Sequence, residues 1–255
     1  MPQQTIRRIN LYDFFSVLLP GLTFLFGIYP ILPIGFTLNS LGAALSLLVI
    51  GFVIGRVVHT IATSLHQWLS ASRFFNINTH REDFASVIQH SNYLPEKVID
   101  EFHSKCRRTF LGIGLHYYRD YDNSEEDTEV LDTLYMCVRS YTHIGSQGPS
   151  ENFQAIYAFH RSTWLVMAAL FVVYLTAGLD ILLREFGLPL TGFEYSAKIS
   201  ALNIPLALTV VIAILFSGIG IYVFLIGMLR YKKIYVRYIV TDFLALRISE
   251  KSNLK

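Results

Sequence analysis

The chain has 255 residues, 53% of them hydrophobic and 16% charged, with a mean hydropathy of +0.43 and a formal net charge of +2. This composition is too apolar for an ordinary soluble domain and fits a multi-span membrane protein. The length accommodates four spans of about 20 residues each and one small additional domain.

Arg7 and Arg8 precede the first apolar run, as in the n-region of a signal peptide. No small-x-small cleavage site follows and the run continues through Pro30 and Pro33, so an uncleaved first span is expected. This span covers 12–28, with Asp13 at its entrance and Pro20-Gly21 inside, where the proline frees a carbonyl and predicts a kink. The second span covers 41–58 and completes a hairpin over 1–64. Its Gly51 and Gly55 have the G-x-x-x-G spacing that lets another backbone approach, although so short a motif also arises by chance. His59 and His66 follow at a seven-residue spacing and share a helix face. Two such nitrogens can bind a metal, but no third ligand is placed, so a structural or interfacial role is expected and no metal.

Residues 65–150 are polar. From Leu65 to Ser162 nine lysines and arginines face thirteen acids, a net of −4. The pattern predicts an all-helical domain. Thr79 and Glu82 form a capping box ahead of Phe84, Val87 and Ile88. Pro95 suits the first position of a second helix with Val98, Ile99, Phe102 and Cys106 on one face, and Gly112 and Gly114 break it. A third helix starts near Ser124, with acids in its first turn and Leu131, Leu134, Tyr135 and Val138 as its stripe. The acidic run 122–129 resembles a calcium loop in composition but lacks the glycine and the terminal glutamate spacing. Cys106 and Cys137 have no metal-like spacing and suggest no disulfide framework. Lys105, Arg107 and Arg108 end the second helix and lead into His116, Tyr117 and Arg119. Cations beside aromatics can neutralise phosphates while bases stack on the rings, and these six residues are the candidate nucleic-acid site. Compensation of a helix C-terminus is the alternative reading of the same charges.

The linker 145–149 ends this domain, and Ser150 is expected to cap a helix running unbroken into the third span, 163–183. The fourth span, 204–228, carries Thr209, Ser217, Gly218 and Gly220, small and hydroxyl residues that pack helices or line a pore. The second hairpin thus occupies 151–230. The tail 231–255 is expected to continue the last helix, with Tyr231, Ile234, Tyr235, Tyr238, Asp242 and Leu246 at helical spacing. From Arg230 to Lys255 seven basic residues face two acids, a net of +5. Arg230, Lys232, Lys233 and Arg237 alternate with tyrosines, a pattern that binds phosphates or anchors to anionic headgroups.

The fold class is therefore all-α: a polytopic membrane protein with four transmembrane helices and a helical cytoplasmic domain inserted between helices 2 and 3. Orientation follows the positive-inside rule. The 31–40 connection carries no Lys or Arg and the 184–203 connection only Arg184 and Lys198, whereas Arg7, Arg8, Arg56, Arg73, Arg161, Arg230, Lys232, Lys233 and Arg237 crowd the other side. Both termini and the polar domain are expected in the cytoplasm, with Arg56, His59, Arg230, Lys232, Lys233 and Arg237 at the cytoplasmic interface. No span carries a charge at its centre, which argues against a proton-coupled transporter. No phosphate-binding loop, nucleophile elbow or metal triad is present, so neither enzyme activity nor a cofactor is expected.

Three segments carry a family resemblance: Leu11-Tyr-Asp-Phe-Phe-Ser-Val-Leu-Leu-Pro-Gly21, Glu151-Asn-Phe-Gln-Ala-Ile-Tyr-Ala-Phe-His-Arg161, and Tyr235-Val-Arg-Tyr-Ile-Val-Thr-Asp-Phe-Leu244. They cover both membrane halves and little of the central domain. They resemble small bacterial four-span membrane effectors of anti-phage defence operons, of the Hailong protein A type. The resemblance implies a homo-oligomeric ion channel of the bacterial inner membrane. Its extra domain would bind a single-stranded DNA oligomer or nucleotide signal made by a partner nucleotidyltransferase, and loss of that ligand would open the channel, depolarise the membrane and kill the infected cell. The alternative from another class is a membrane anchor or scaffold that docks a cytoplasmic protein through the acidic domain.

Overall fold

A computed structural model describes residues 12–32, 40–71, 78–89, 93–110, 125–145, 148–188, 190–191, 195 and 205–252. Among these residues the fold is helical throughout, with no strand. The helices are α1 (Leu19–Ile28), α2 (Leu41–Ala71), α3 (His80–Gln89), α4 (Glu96–Phe110), α5 (Glu125–Gly145), α6 (Pro149–Arg184) and α7 (Leu206–Ser252). Among the described residues four segments are long and apolar enough to cross a membrane: Phe14–Ile31, Leu41–Ser70, Pro149–Arg184 and Leu206–Leu246. The protein is a membrane protein on that ground.

The first segment departs from a plain helix at the position expected. Pro20 has no N–H to give to the carbonyl four residues back, and the preceding turn is a π-turn, Phe14–Leu18, in which the Leu19 N–H reaches the Phe14 carbonyl. The last turn, Tyr29–Ile31, tightens to a 3-10 helix around Pro30.

The chain divides into two compact units: Met1–His66 with Ala155–Leu229, and Gln67–Gln154 with Arg230–Lys255. Thus α2, α6 and α7 contribute residues to both, and the helix into the third span runs unbroken.

The second unit has a closed aromatic core. Phe84, Val87 and Ile88 of α3, Ile99, Phe102, Cys106 and Phe110 of α4, and Leu131, Leu134, Tyr135 and Val138 of α5 are all buried. They meet Tyr235, Val236, Ile239, Val240 and Phe243 of α7. Phe110 stacks on Phe243 with ring centroids 5.8 Å apart, and Phe102 and Tyr141 meet the same ring edge-on. Burial pushes the Cys106 thiol well above the usual cysteine range, so it packs as a small apolar group. The capping box closes α3: the Glu82 carboxylate accepts from the Thr79 N–H, and Thr79 Oγ1 accepts from the Glu82 N–H at 3.2 Å. Pro95 sits ahead of the first turn of α4 and its carbonyl accepts from Val98 N at 2.8 Å.

Two sequence expectations change. Ser150 lies inside α6 and does not cap it; its N–H donates to Asp242 Oδ2 at 2.9 Å. Asp242, buried on α7, supplies the carboxylate that the helix start needs, and a Cβ on Gly148 would stand 2.5 Å from that group. On α7 the buried face passes through Lys232, Tyr235, Val236, Ile239, Val240, Asp242 and Phe243, so of the helically spaced set Tyr235 and Asp242 are buried and the others half-buried, while Lys232, expected at the headgroup interface, is inside. Tyr231 and Tyr238 instead stack on Phe153, at 6.4 and 4.6 Å.

Lys232 is buried in an ion pair. Lys232 and Asp83 are 2% and 3% exposed and pair at 2.9 Å. Lys232 also donates to the Asn78 carbonyl, and Asn78 Nδ2 donates to Asp83 Oδ1 at 3.3 Å. A lysine expected to face headgroups is thus enclosed with its charge matched by an acid and a carbonyl, as a charge out of water requires.

Candidate functional site

The candidate nucleic-acid residues divide by helix face. On α4, Lys105 follows Phe102 inward and is 4% exposed. It donates to the Phe243 carbonyl and lies over the Phe243 ring, 4.4 Å from the centroid. Its charge is thus held inside the second unit. Arg107 and Arg108 point outward from the last turn, where the helix dipole favours cations. Arg108 donates to Ser104 Oγ at 2.9 Å and meets Glu101 at 3.5 Å, an exposed contact of little strength. Asp100, His103, Ser104, Arg107 and Arg108 line a hollow of about 470 Å³. His103 is buried and its Nε2 faces the Ile88 carbonyl at 3.0 Å, which fixes the floor. Two guanidinium groups beside a hydroxyl can bind a phosphate. His116, Tyr117 and Arg119 lie outside the described residues.

In the tail cluster Arg230, Lys233 and Arg237 are exposed, while Lys232 belongs to the buried pair with Asp83.

The glycines of the first unit make close backbone contacts. A Cβ on Gly21 would fall inside contact distance of the Gly51 carbonyl and 2.6 Å from Gly55 N. A Cβ on Gly55 would stand 2.7 Å from Val17 C, and one on Gly51 2.6 Å from Leu22 Cδ2. The first span therefore crosses the G-x-x-x-G face of α2 backbone to backbone, with Gly21 as a third glycine that the motif alone does not reveal. Gly220 packs on Met167, whose Sδ a Cβ would meet at 2.8 Å, whereas Gly218 has ordinary room beside Phe171.

Thr209 and Ser217 are buried and line a cavity of about 680 Å³ among α1, α6 and α7. Its hydroxyls are turned to the backbone: Thr23 donates to Leu19 O at 2.8 Å, Thr209 to Pro205 O at 3.3 Å, Ser217 to Ala213 O at 2.7 Å, and Tyr174 to Gly27 O. The cavity offers an apolar surface in spite of its hydroxyl residues.

At one end of the first unit a polar group of side chains assembles where the apolar runs begin or stop. Asp13 enters the first span, Arg56 and His59 leave the second, and Arg161 and Ser162 enter the third. Arg56 Nη1 stands 3.5 Å from Asp13 Oδ1. The His59 ring meets Tyr12 edge-on at 6.0 Å, and its Nδ1 lies 3.3 Å from Ser162 Oγ. One turn-pair further along α2, His66 meets the Tyr157 ring at 6.1 Å, so the two histidines share a face and take separate partners on α6. Among the described residues no group of three His, Cys, Asp or Glu side chains lies together to hold a metal. Arg161 was visible in the sequence only as one more positive charge; its neighbours are made by tertiary contact.

At the far end of the third span, Asp180 is 0% exposed. It accepts from Thr191 N at 2.8 Å, Thr191 Oγ1 at 2.9 Å and Arg184 Nε at 3.0 Å. Arg184 Nη2 donates on to the Thr191 carbonyl at 2.9 Å, closing the chain back on the helix.

Neither a family model, nor a curated protein, nor a solved structure matches this chain.

Proposed function

We propose that the protein is an oligomeric channel of the bacterial inner membrane, gated by a nucleotide or single-stranded DNA oligomer, whose activity depolarises the cell in anti-phage defence. Both termini and the helical segment between the second and third spans are cytoplasmic in this reading. The observation that carries it is the small share of the spans that the chain itself covers. In the most apolar windows of the second and fourth spans only 11% of residues are buried. The apolar faces of Val49, Val53 and Val57 on α2, and of Val211, Leu215, Ile219 and Tyr222 on α7, are open to lipid and to further copies. The ligand end of the reading is supported by the outward guanidinium groups of Arg107 and Arg108 beside Ser104.

Induced expression with a membrane-potential dye tests the channel. Depolarisation on triggering is expected, and no ion flux under any triggering condition would count against it. A stoichiometric complex with a neighbouring gene product and no flux would favour a scaffold instead. Nucleic acid retained through purification tests the ligand. Charge reversal at Arg107 and Arg108 together is expected to abolish retention while the second unit stays folded.

A further inference from the structure

We infer that the polar end of the first unit binds the phosphate of an anionic phospholipid, held by Arg161 and Arg56. Arg161 is 8% exposed, and its guanidinium lies over the Tyr157 ring, 5.3 Å from the centroid. Among the described residues its buried Nε has no hydrogen-bond partner and no carboxylate pairs with the guanidinium. An enclosed guanidinium with a free donor calls for an anion, because a cation taken from water without one is costly. Arg56 faces Asp13 at 3.5 Å, and His59, three residues on along α2, lies 3.3 Å from Ser162, the neighbour of Arg161, so these side chains gather at one end of the unit. Among the described residues that group has two guanidiniums and a single carboxylate, and the carboxylate already faces Arg56. The surplus is one positive charge, which a phosphodiester of charge −1 balances.

The place selects a lipid as the source of that phosphate. In the sequence Asp13 directly precedes the first apolar run, Arg56 follows the run 41–55 and Arg161 precedes the run 163–183, which is the level of headgroup phosphates when those runs fill the bilayer core. A nucleic-acid backbone brings a row of charges and needs an open track, whereas Arg161 is enclosed. The inference uses the membrane reading alone and does not depend on gating.

The full chain in nanodiscs of phosphatidylcholine, with and without phosphatidylglycerol, provides the test. Thermal unfolding and the phosphatidylglycerol retained after detergent extraction are the two readouts. Phosphatidylglycerol is expected to raise the unfolding temperature of the unsubstituted protein. Arg161→Gln and Arg56→Gln should each lose that shift and retain about tenfold less lipid, the size of one charge-assisted hydrogen bond. Lys97→Gln, an exposed cation of the second unit, should keep both. If Arg161→Gln does not fold, Arg56→Gln decides, since its side chain is 61% exposed. Full shifts in both variants, equal loss in Lys97→Gln, or no shift in the unsubstituted protein would overturn the inference. So would displacement of the retained lipid by a single-stranded oligonucleotide.

Discussion

The two compact units solve the problem of burial in opposite ways. The second unit closes a core of phenylalanines and tyrosines over buried charges, as a domain folding in water does. The first unit leaves rows of valine, leucine and isoleucine uncovered on α2 and α7 and holds its first hairpin by glycine backbones in contact. Where lipid is the solvent, apolar side chains gain little by facing each other, and close packing takes over as the source of specificity. The same chain therefore needs large side chains in one unit and missing side chains in the other.

This contrast is open to direct attack. The largest effect is expected at Asp83. Asp83→Ala leaves Lys232 buried without its acid and should destabilise the second unit by about 3–5 kcal/mol, read by urea unfolding followed by Trp or Tyr emission. The pair replacement Asp83→Leu with Lys232→Met should recover most of that loss, because what costs is the uncompensated charge. Next comes Gly21→Val. It drives a side chain into the Gly51 carbonyl and should cost the first unit about 3 kcal/mol, seen as aggregation in detergent gel filtration, with the second unit's urea transition unmoved. Asp242→Ala removes the carboxylate at the start of α6 and should cost about 1–2 kcal/mol.

The smallest effect is one of pH. The Cys106 thiol is raised in the folded state, so above the ordinary thiol value the unfolded chain gives up a proton that the folded chain keeps. Stability conferred by that burial is complete at neutral pH and falls as pH rises past about 8.5, by about 1.4 kcal/mol per pH unit. Cys106→Ala should abolish this slope, and Cys106 should be the slower of the two cysteines to react with an alkylating reagent.

Much of the fold is legible in the sequence, for reasons of range. Four apolar runs announce spans because length and hydropathy are local quantities, and the Thr79–Glu82 capping box is read from three residues. The phase of α7 is not local. Lys232 lies on a buried face, where Asp83 of α3 and the Asn78 carbonyl just ahead of α3 meet it, whereas the charge pattern alone places it outside. The candidate sites show the same limit. Lys105 and Arg107 are neighbours in one basic cluster, yet one closes on Phe243 and the other faces outward. Gly51 and Gly55 signal a packing face, but only the crossing chain identifies Gly21 as what packs there.

Translation imposes an order on these contacts. The Asp180 cluster is complete once the ribosome has made Thr191, eleven residues later, so the third span can be sealed at its far end before the fourth exists. The Asn78 carbonyl must wait for a lysine 154 residues downstream, and the Ser150 N–H for an aspartate 92 residues on. A nascent chain stalled ahead of Lys232 thus holds one finished turn and one unfinished core. Until the last helix emerges Asp83 lacks its cation and the aromatic residues of α3, α4 and α5 lack the Phe243 face.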